Sequence, residues 1–251
     1  MTTDDEHRSA SGALRGSQRP LVIGVDGCRG GWVAIILDRE HRKLEPVFVP
    51  TLSELVEAYP VSWIGVDMPV GLSSTGTRQC DVDARKFLGP ARSSSVFPPP
   101  IPQVIAASTY DEASSLSKRH HPQHKSLSRQ TFAILPGLRE VRAVITPALQ
   151  QRIVEVHPEV SFATLAGRPL RFGKRKPEGF DERRDLLQAA FDIDIPDRRL
   201  MRSFFSRAAP DDVLDAMVAA WSAQRFAEGR SGRFPAVEER DELGLRMEMV
   251  F

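Results

Sequence analysis

Apolar positions fall first into short β-branched runs and only later into helical spacing. Leu21 to Asp26 is one such run, and it ends in Gly-Cys-Arg-Gly-Gly. Trp32 to Asp38 is a second run, so the glycines between them predict a hairpin. Glu45 to Pro50 predicts a third strand, with its turn around Arg39 to Lys43, and the three read as an antiparallel meander. Thr51 to Tyr59 sets Leu52, Leu55 and Val56 at helical spacing, with Thr51 or Ser53 as N-cap. Val61 to Asp67 is then a buried strand, and a helix between strands predicts an α/β crossover.

The pattern changes from Ser73 to Ala107. CDVDARKFLG predicts a short helix, and ARSSSVFPPPIP a rigid, extended loop, because four prolines crowd one phenylalanine. Loops of this length in compact domains often serve function. Tyr110 to Leu116 and Ser126 to Arg142 have helical spacing, with the polar KRHHPQHK between them. Ile153 to Val156 predicts a strand, Phe162 to Gly167 a short helix or turn, RPLRFGKRKPEGF a basic loop, and Asp181 to Phe191 a helix. Asp211 to Glu228 is the strongest helical pattern, with Val213, Leu214, Met217, Val218 and Trp221 as its stripe and Pro210 before it. Residues 1–20 are polar and mixed in charge, which predicts a disordered leader and not a signal peptide. The expected organisation is a domain over 21–228, with an inserted loop and helical region at about 73–150, and a weakly patterned tail over 229–251.

Composition narrows the class. With 251 residues, 41% hydrophobic and 27% charged, the chain fits one soluble α/β domain. A net charge of +1 supplies no global field for nucleic acid or membrane, so a polyanion would need local basic patches. Cys28 and Cys80 form no CxxC pattern, which argues against a disulfide scaffold and a structural zinc site. No apolar run approaches the ~18 residues of a membrane span, and the cytoplasm is the expected location.

The acids recur where the runs end. Asp26 closes the first run and Asp67 another; Glu155 and Glu159 flank a third in IVEVHPEVSF; Asp211, Asp212 and Asp215 open the last helix. A buried carboxylate is costly unless it is paired or bound to a cation. Acids repeated at strand ends and a helix start therefore point to one shared Mg²⁺ or Mn²⁺ site and phosphoryl-transfer chemistry. Plainer roles stand beside this one. Asp26 could cap a glycine-rich turn, Asp67 could be an Asx-turn residue before Met-Pro, and Asp211 or Asp212 could cap the helix. Asp215 sits inside the apolar pattern, where a capping role fits poorly, and it shares a face with Asp212 at i, i+3.

Strand alternation would put Glu155 and His157 on one face, with His157 as ligand, general acid or base, or a structural histidine beside proline. Gly27, Gly30 and Gly31 would let backbone approach a phosphate or metal. Arg78, Arg85 and Arg92, and Arg171, Lys174, Arg175 and Lys176, could hold phosphates or be simply solvated. Trp32 and Trp63 are expected in the core.

Five motifs, GVDGCRGGW, GVDMPVGL, CDVDARKFLGPARSSSVFPPP, EVHPEVSF and DDVLDAMVAAW, run in that order over about residues 21 to 225. Together they resemble the DUF429 family of predicted nucleases. PLRFGKRKPEGFDERRDLL also resembles that family's loop and helix. The resemblance implies an RNase H-like α/β fold: a mixed sheet of three antiparallel strands followed by parallel ones, flanked by helices. In RNase H-like nucleases of the Holliday-junction resolvase type, acids lie on the first strand, the fourth strand and, as a pair, the last helix. Asp26, Asp67, Asp212 and Asp215 are the matching positions here.

The expected function is a metal-dependent nuclease with two ions about 4 Å apart held by those four acids. Glu155 would be a further catalytic carboxylate, and Arg78, Arg85, Arg92 and Lys174 would meet the nucleic acid. The Ser93 to Pro100 loop would be a substrate clamp or the contact of a homodimer. Two rival readings are a phosphotransferase or ATP hydrolase of the actin-like group, using the glycine-rich hairpin, and a non-catalytic nucleotide- or nucleic-acid-binding protein.

Overall fold

A computed structural model describes residues 20–38 and 43–251. The expected leader, Pro20 apart, and the turn at 39–42 lie outside the described residues. Strands β1 (Val22–Cys28), β2 (Gly31–Asp38) and β3 (Lys43–Val49) form the antiparallel meander; β4 (Trp63–Val66) and β5 (Ile153–Glu155) continue the sheet parallel to β1. The order is β3-β2-β1-β4-β5, the mixed sheet that the sequence predicts. Gly30 takes φ +79 in the turn from β1 to β2, a conformation few other residues adopt readily. The tail, weakly patterned in sequence, adds a small antiparallel pair, β6 (Arg233–Phe234) and β7 (Met249–Val250).

Helices cover both faces of the main sheet. In chain order they are α1 (Leu52–Ala58), α2 (Gln79–Arg92), α3 (Tyr110–His120), α4 (Arg129–Ala133) and α5 (Leu135–Val144). Then follow α6 (Pro158–Ala166), α7 (Pro177–Phe191), α8 (Arg198–Phe204) and α9 (Pro210–Ala227). Thr51 caps α1 by accepting the Glu54 N–H. Alternation divides the strand residues between two cores. Ile23, Val25, Ile64 and Val66 pack with Leu52 and Leu55 of α1 and Leu135 and Leu138 of α5. Val33 and Ile35 face the other way, toward Phe162 of α6, Phe180 and Leu187 of α7, and Val213, Leu214 and Met217 of α9.

On that second face β1 and β4 carry Gly24 and Gly65. A Cβ on Gly24 would lie 1.9 Å from the Ala216 carbonyl oxygen, and one on Gly65 2.5 Å from that of Ala219. The absent side chains let the backbone of α9 rest directly on the two strands.

Several boundaries differ from the sequence pattern. The helix expected over Ser126 to Arg142 is two helices, α4 and α5, because Pro136 has no N–H to donate and suits only a first turn. The short helix in CDVDARKFLG extends through α2, with a break at Gly89 (φ +67) before Pro90. Helices α6 and α7 start earlier than their apolar spacing indicates, each with proline in its first turn. Trp32 is in the core, donating from Nε1 to Glu140 at 2.8 Å, and half-buried Trp63 meets Phe226 edge-on. Among the described residues, no helix is long and apolar enough to cross a membrane.

Candidate metal centre

The parallel pairing of β1, β4 and β5 ends at one level. Val25 of β1 pairs with Val66 of β4, and Val66 with Glu155 of β5. The Asp67 N–H then donates to the Val25 carbonyl at 2.9 Å, which sets Asp67 beside Asp26 at the carboxyl ends of the strands. Such ends are where open α/β sheets bind ligands. Helix α9, seated on Gly24 and Gly65, brings Asp215 down onto the same spot. Ligand oxygens of Asp26, Asp67 and Asp215 all lie within 4.8 Å of one another.

The electrostatics are those of a site lacking positive charge. Burial, then the charges of Asp67 and Asp215, hold the Asp26 carboxyl well above the usual carboxylate range. Burial and the Asp215 charge do the same to Asp67. Lys174, from the loop between α6 and α7, places Nζ 2.7 Å from Asp215 Oδ2. Burial opposes the charge on Lys174, but Asp215, Asp26 and Asp67 outweigh it and raise its pKa.

Asp212 is not one of the converging three. Its Oδ2 accepts the Ala209 N–H at 2.9 Å, closing the first turn of α9. The N-cap itself is Ala209, where the sequence suggested Asp211 or Asp212.

Arg78 and Glu155 also line the cleft beside the acids, where they are bonded to each other. Arg78, expected to meet substrate, is 1% exposed. It spends all five N–H groups on Asp81, Glu155 and the Gly71 carbonyl, at 2.6 to 3.0 Å. Glu155, expected among the catalytic acids, receives two of them at 2.7 Å and also the Val70 N–H at 2.8 Å. Cys80, Asp81 and Glu155 also have ligand atoms close together, but both acids are already hydrogen-bonded to Arg78. Nor do Glu155 and His157 share a strand face, since β5 ends at Glu155 and His157 is the N-cap of α6.

Glu159 has a role the sequence reading missed. Its carboxylate joins Arg92, at 2.6 Å, to the buried Arg183. Burial pushes Glu159 up, but the two guanidinium groups outweigh it and hold its pKa below the usual value. Arg92 is bonded through Nε and Nη2, leaving Nη1 without a hydrogen bond among the described residues. Arg85 is exposed and donates to the Val96 carbonyl at 2.9 Å.

These groups border a cleft of about 1070 Å³, lined among others by Asp26, Asp67, Asp215, Arg92, His157 and Lys174. Gly27, Gly30 and Gly31 line it too. The His157 Nε2 lies 3.4 Å from the Ser95 carbonyl; its Nδ1 is buried with no partner among the described residues, and burial lowers its pKa. Burial, with Asp212 and Asp26 nearby, pushes the Cys28 thiol up to about 11, which opposes a thiolate role at neutral pH.

The sequence signal for the close seat of α9 is a repeat. Ile-Gly-Val-Asp occurs at 23–26 and again at 64–67, each glycine two residues before its acid and so on the same strand face. The facing helix supplies Ala216, Ala219 and Ala220.

Comparison with known proteins gives one result. The sequence model of a family described as "Protein of unknown function (DUF429)" matches residues 24–240. No curated protein and no solved structure matches the chain.

Proposed function

The chain belongs to the DUF429 family, and from its acidic cluster we propose that it is a metal-dependent hydrolase of phosphodiesters in nucleic acid. The observation that carries this reading is the charge balance of the cluster. Three convergent carboxylates against one ammonium leave two negative charges when all are ionised, the charge of a single divalent cation. All donors are carboxylate oxygens, the chemistry preferred by Mg²⁺ and Mn²⁺. A strand order like that of RNase H-like proteins, with acids at corresponding places, supports the same reading.

Asp26, Asp67 and Asp215 would hold the ion. When bound, it supplies Lewis acidity toward a phosphoryl oxygen and a water of lowered pKa. Lys174 opposes the burial that raises the Asp215 pKa, and its 2.7 Å contact orients the carboxylate. Arg92, anchored by Glu159, offers Nη1 to a phosphate oxygen. In the net reaction a water oxygen forms one new P–O bond and one bridging P–O bond breaks, giving a phosphomonoester and a hydroxyl without any redox change. We place this activity in the cytoplasm, where the two free thiols, Cys28 and Cys80, stay reduced.

Calorimetric titration of Mg²⁺ or Mn²⁺ into the wild type and into the Asp26→Asn, Asp215→Asn double variant tests the proposal. Binding by the wild type that the double variant loses, together with metal-dependent cleavage of oligonucleotides, is the expected result. A wild type that neither binds the ions nor cleaves would overturn it.

A further inference from the structure

The depth and lining of the cleft bear on which nucleic acid could reach the acids. The cleft holds about 1070 Å³. Asp26 is 8% exposed and Asp215 2%, while Asp67 is half-buried. A phosphate must therefore enter the cleft to meet all three, which a flexible single strand does more readily than a rigid duplex.

The lining is mixed. Arg92, Lys174, Arg175 and Lys176 contribute basic groups to it. Met68, Phe97, Ile134 and Pro136 contribute apolar surface, more than a bare phosphate requires. Phe97 is half-buried in the proline-rich loop, directly before Pro98, Pro99 and Pro100. Prolines restrict the backbone there, so the loop has little backbone freedom left to lose on binding. A cleft that carries both an aromatic ring and basic groups suits unpaired bases, since every base has a face to stack. The net charge of +1 adds no long-range pull on a duplex.

We propose that the cleft takes unpaired nucleotides in preference to duplex, with the phosphate toward Asp26, Asp67 and Asp215 and a base against Phe97. This rests on reading the acidic cluster as a metal-bound phosphodiester site, and the test separates the two ideas.

The Mn²⁺-loaded protein is given a fluorescent short single strand, the same sequence as a duplex, and an abasic strand of equal length. Binding is read by anisotropy and cleavage by gel. Single strand should bind about tenfold tighter than duplex and be the form that is cut. Phe97→Ala should weaken the single strand about tenfold and leave the abasic strand unchanged, while Phe97→Tyr restores binding. Unchanged melting of both variants shows that they fold. Preferential single-strand binding without cleavage supports the ligand class and overturns the hydrolase reading. Duplex bound or cut as well as single strand overturns the ligand class and leaves the hydrolase reading standing. Binding of neither overturns the ligand class.

Discussion

Lys174 reaches Asp215 with Nζ 2.7 Å from Oδ2, so a cation supplied by the chain itself stands beside the acidic cluster. It partly neutralises carboxylates that α9 and two strands force together. Removing one partner of a fully buried pair costs ~3–5 kcal/mol. The Lys174 side chain is 40% exposed, so solvent screening reduces this to about 1–2 kcal/mol. Lys174→Met should therefore lower the Tm of the metal-free protein at neutral pH. It should also tighten Mn²⁺ binding, because the ammonium no longer competes for Asp215. Melting curves with and without Mn²⁺ check both, and a variant indistinguishable from wild type in both would refute the competition.

The raised pKa values of Asp26 and Asp67 set a direction for pH. Folded values above the unfolded 3.8 mean that the native state holds protons the unfolded chain releases. Their contribution is fully present below about pH 3.8 and lost as pH rises through the folded values. Glu159 and His157, with lowered values, act in the opposite sense: their contributions are present above 4.5 and 6.5 and lost as pH falls. Both residues remain in Asp26→Asn, so their effects largely cancel in a comparison with wild type. Without metal, Asp26→Asn should be the more stable protein, by a margin that grows as pH rises above about 3.8 and levels off past the folded pKa of Asp26. A constant or shrinking margin over that rise in denaturant titrations would contradict the raised Asp26 value.

Gly24→Ala tests the seat of α9. The new methyl would overlap the Ala216 carbonyl, which belongs to helix backbone and cannot rotate away. Overpacking costs ~1–3 kcal/mol and more where backbone must move. A loss of about 3 kcal/mol and weaker metal binding are expected, because Asp215 moves with α9. A neutral effect in chemical denaturation would show that the helix yields freely.

Glu155→Gln separates structure from chemistry. Asp81 still balances Arg78, but charge-assisted hydrogen bonds to the guanidinium are weakened, and a loss of about 1–3 kcal/mol follows. Mn²⁺ affinity should stay near wild type, since Asp26, Asp67 and Asp215 are intact. An unchanged Tm with lost metal binding would return Glu155 to the metal centre.

Cys28 gives a chemical check. A thiol pKa of about 11 in place of 9.0 lowers its thiolate fraction about 100-fold at neutral pH. Alkylation by iodoacetamide should be slower than for a free thiol by that order, and Cys28→Ser should keep wild-type cleavage. Loss of cleavage in Cys28→Ser would give the thiol a direct part in the chemistry.

The meander, the crossover and the acids closing β1 and β4 are legible in the chain itself. Strand alternation, turn glycines and β-branched runs act between near neighbours, so the sequence alone determines them. The starts of α6 and α7 are also local, written in Pro158 and Pro177, although apolar spacing points later. The repeated Ile-Gly-Val-Asp announces a close approach but not what approaches; only packing brings Ala216 onto Gly24 and so Asp215 onto Asp26. Likewise the sequence offers Arg78, Glu155, Arg92 and Lys174 as equal candidates. Tertiary structure decides that Arg78 and Glu155, 77 residues apart, pair with each other, while Arg92 is held by Glu159 and Lys174 by Asp215. The reason is that ion pairing depends on distance in space and on the water excluded around the charges. Neither can be read from the separation of two residues along the chain.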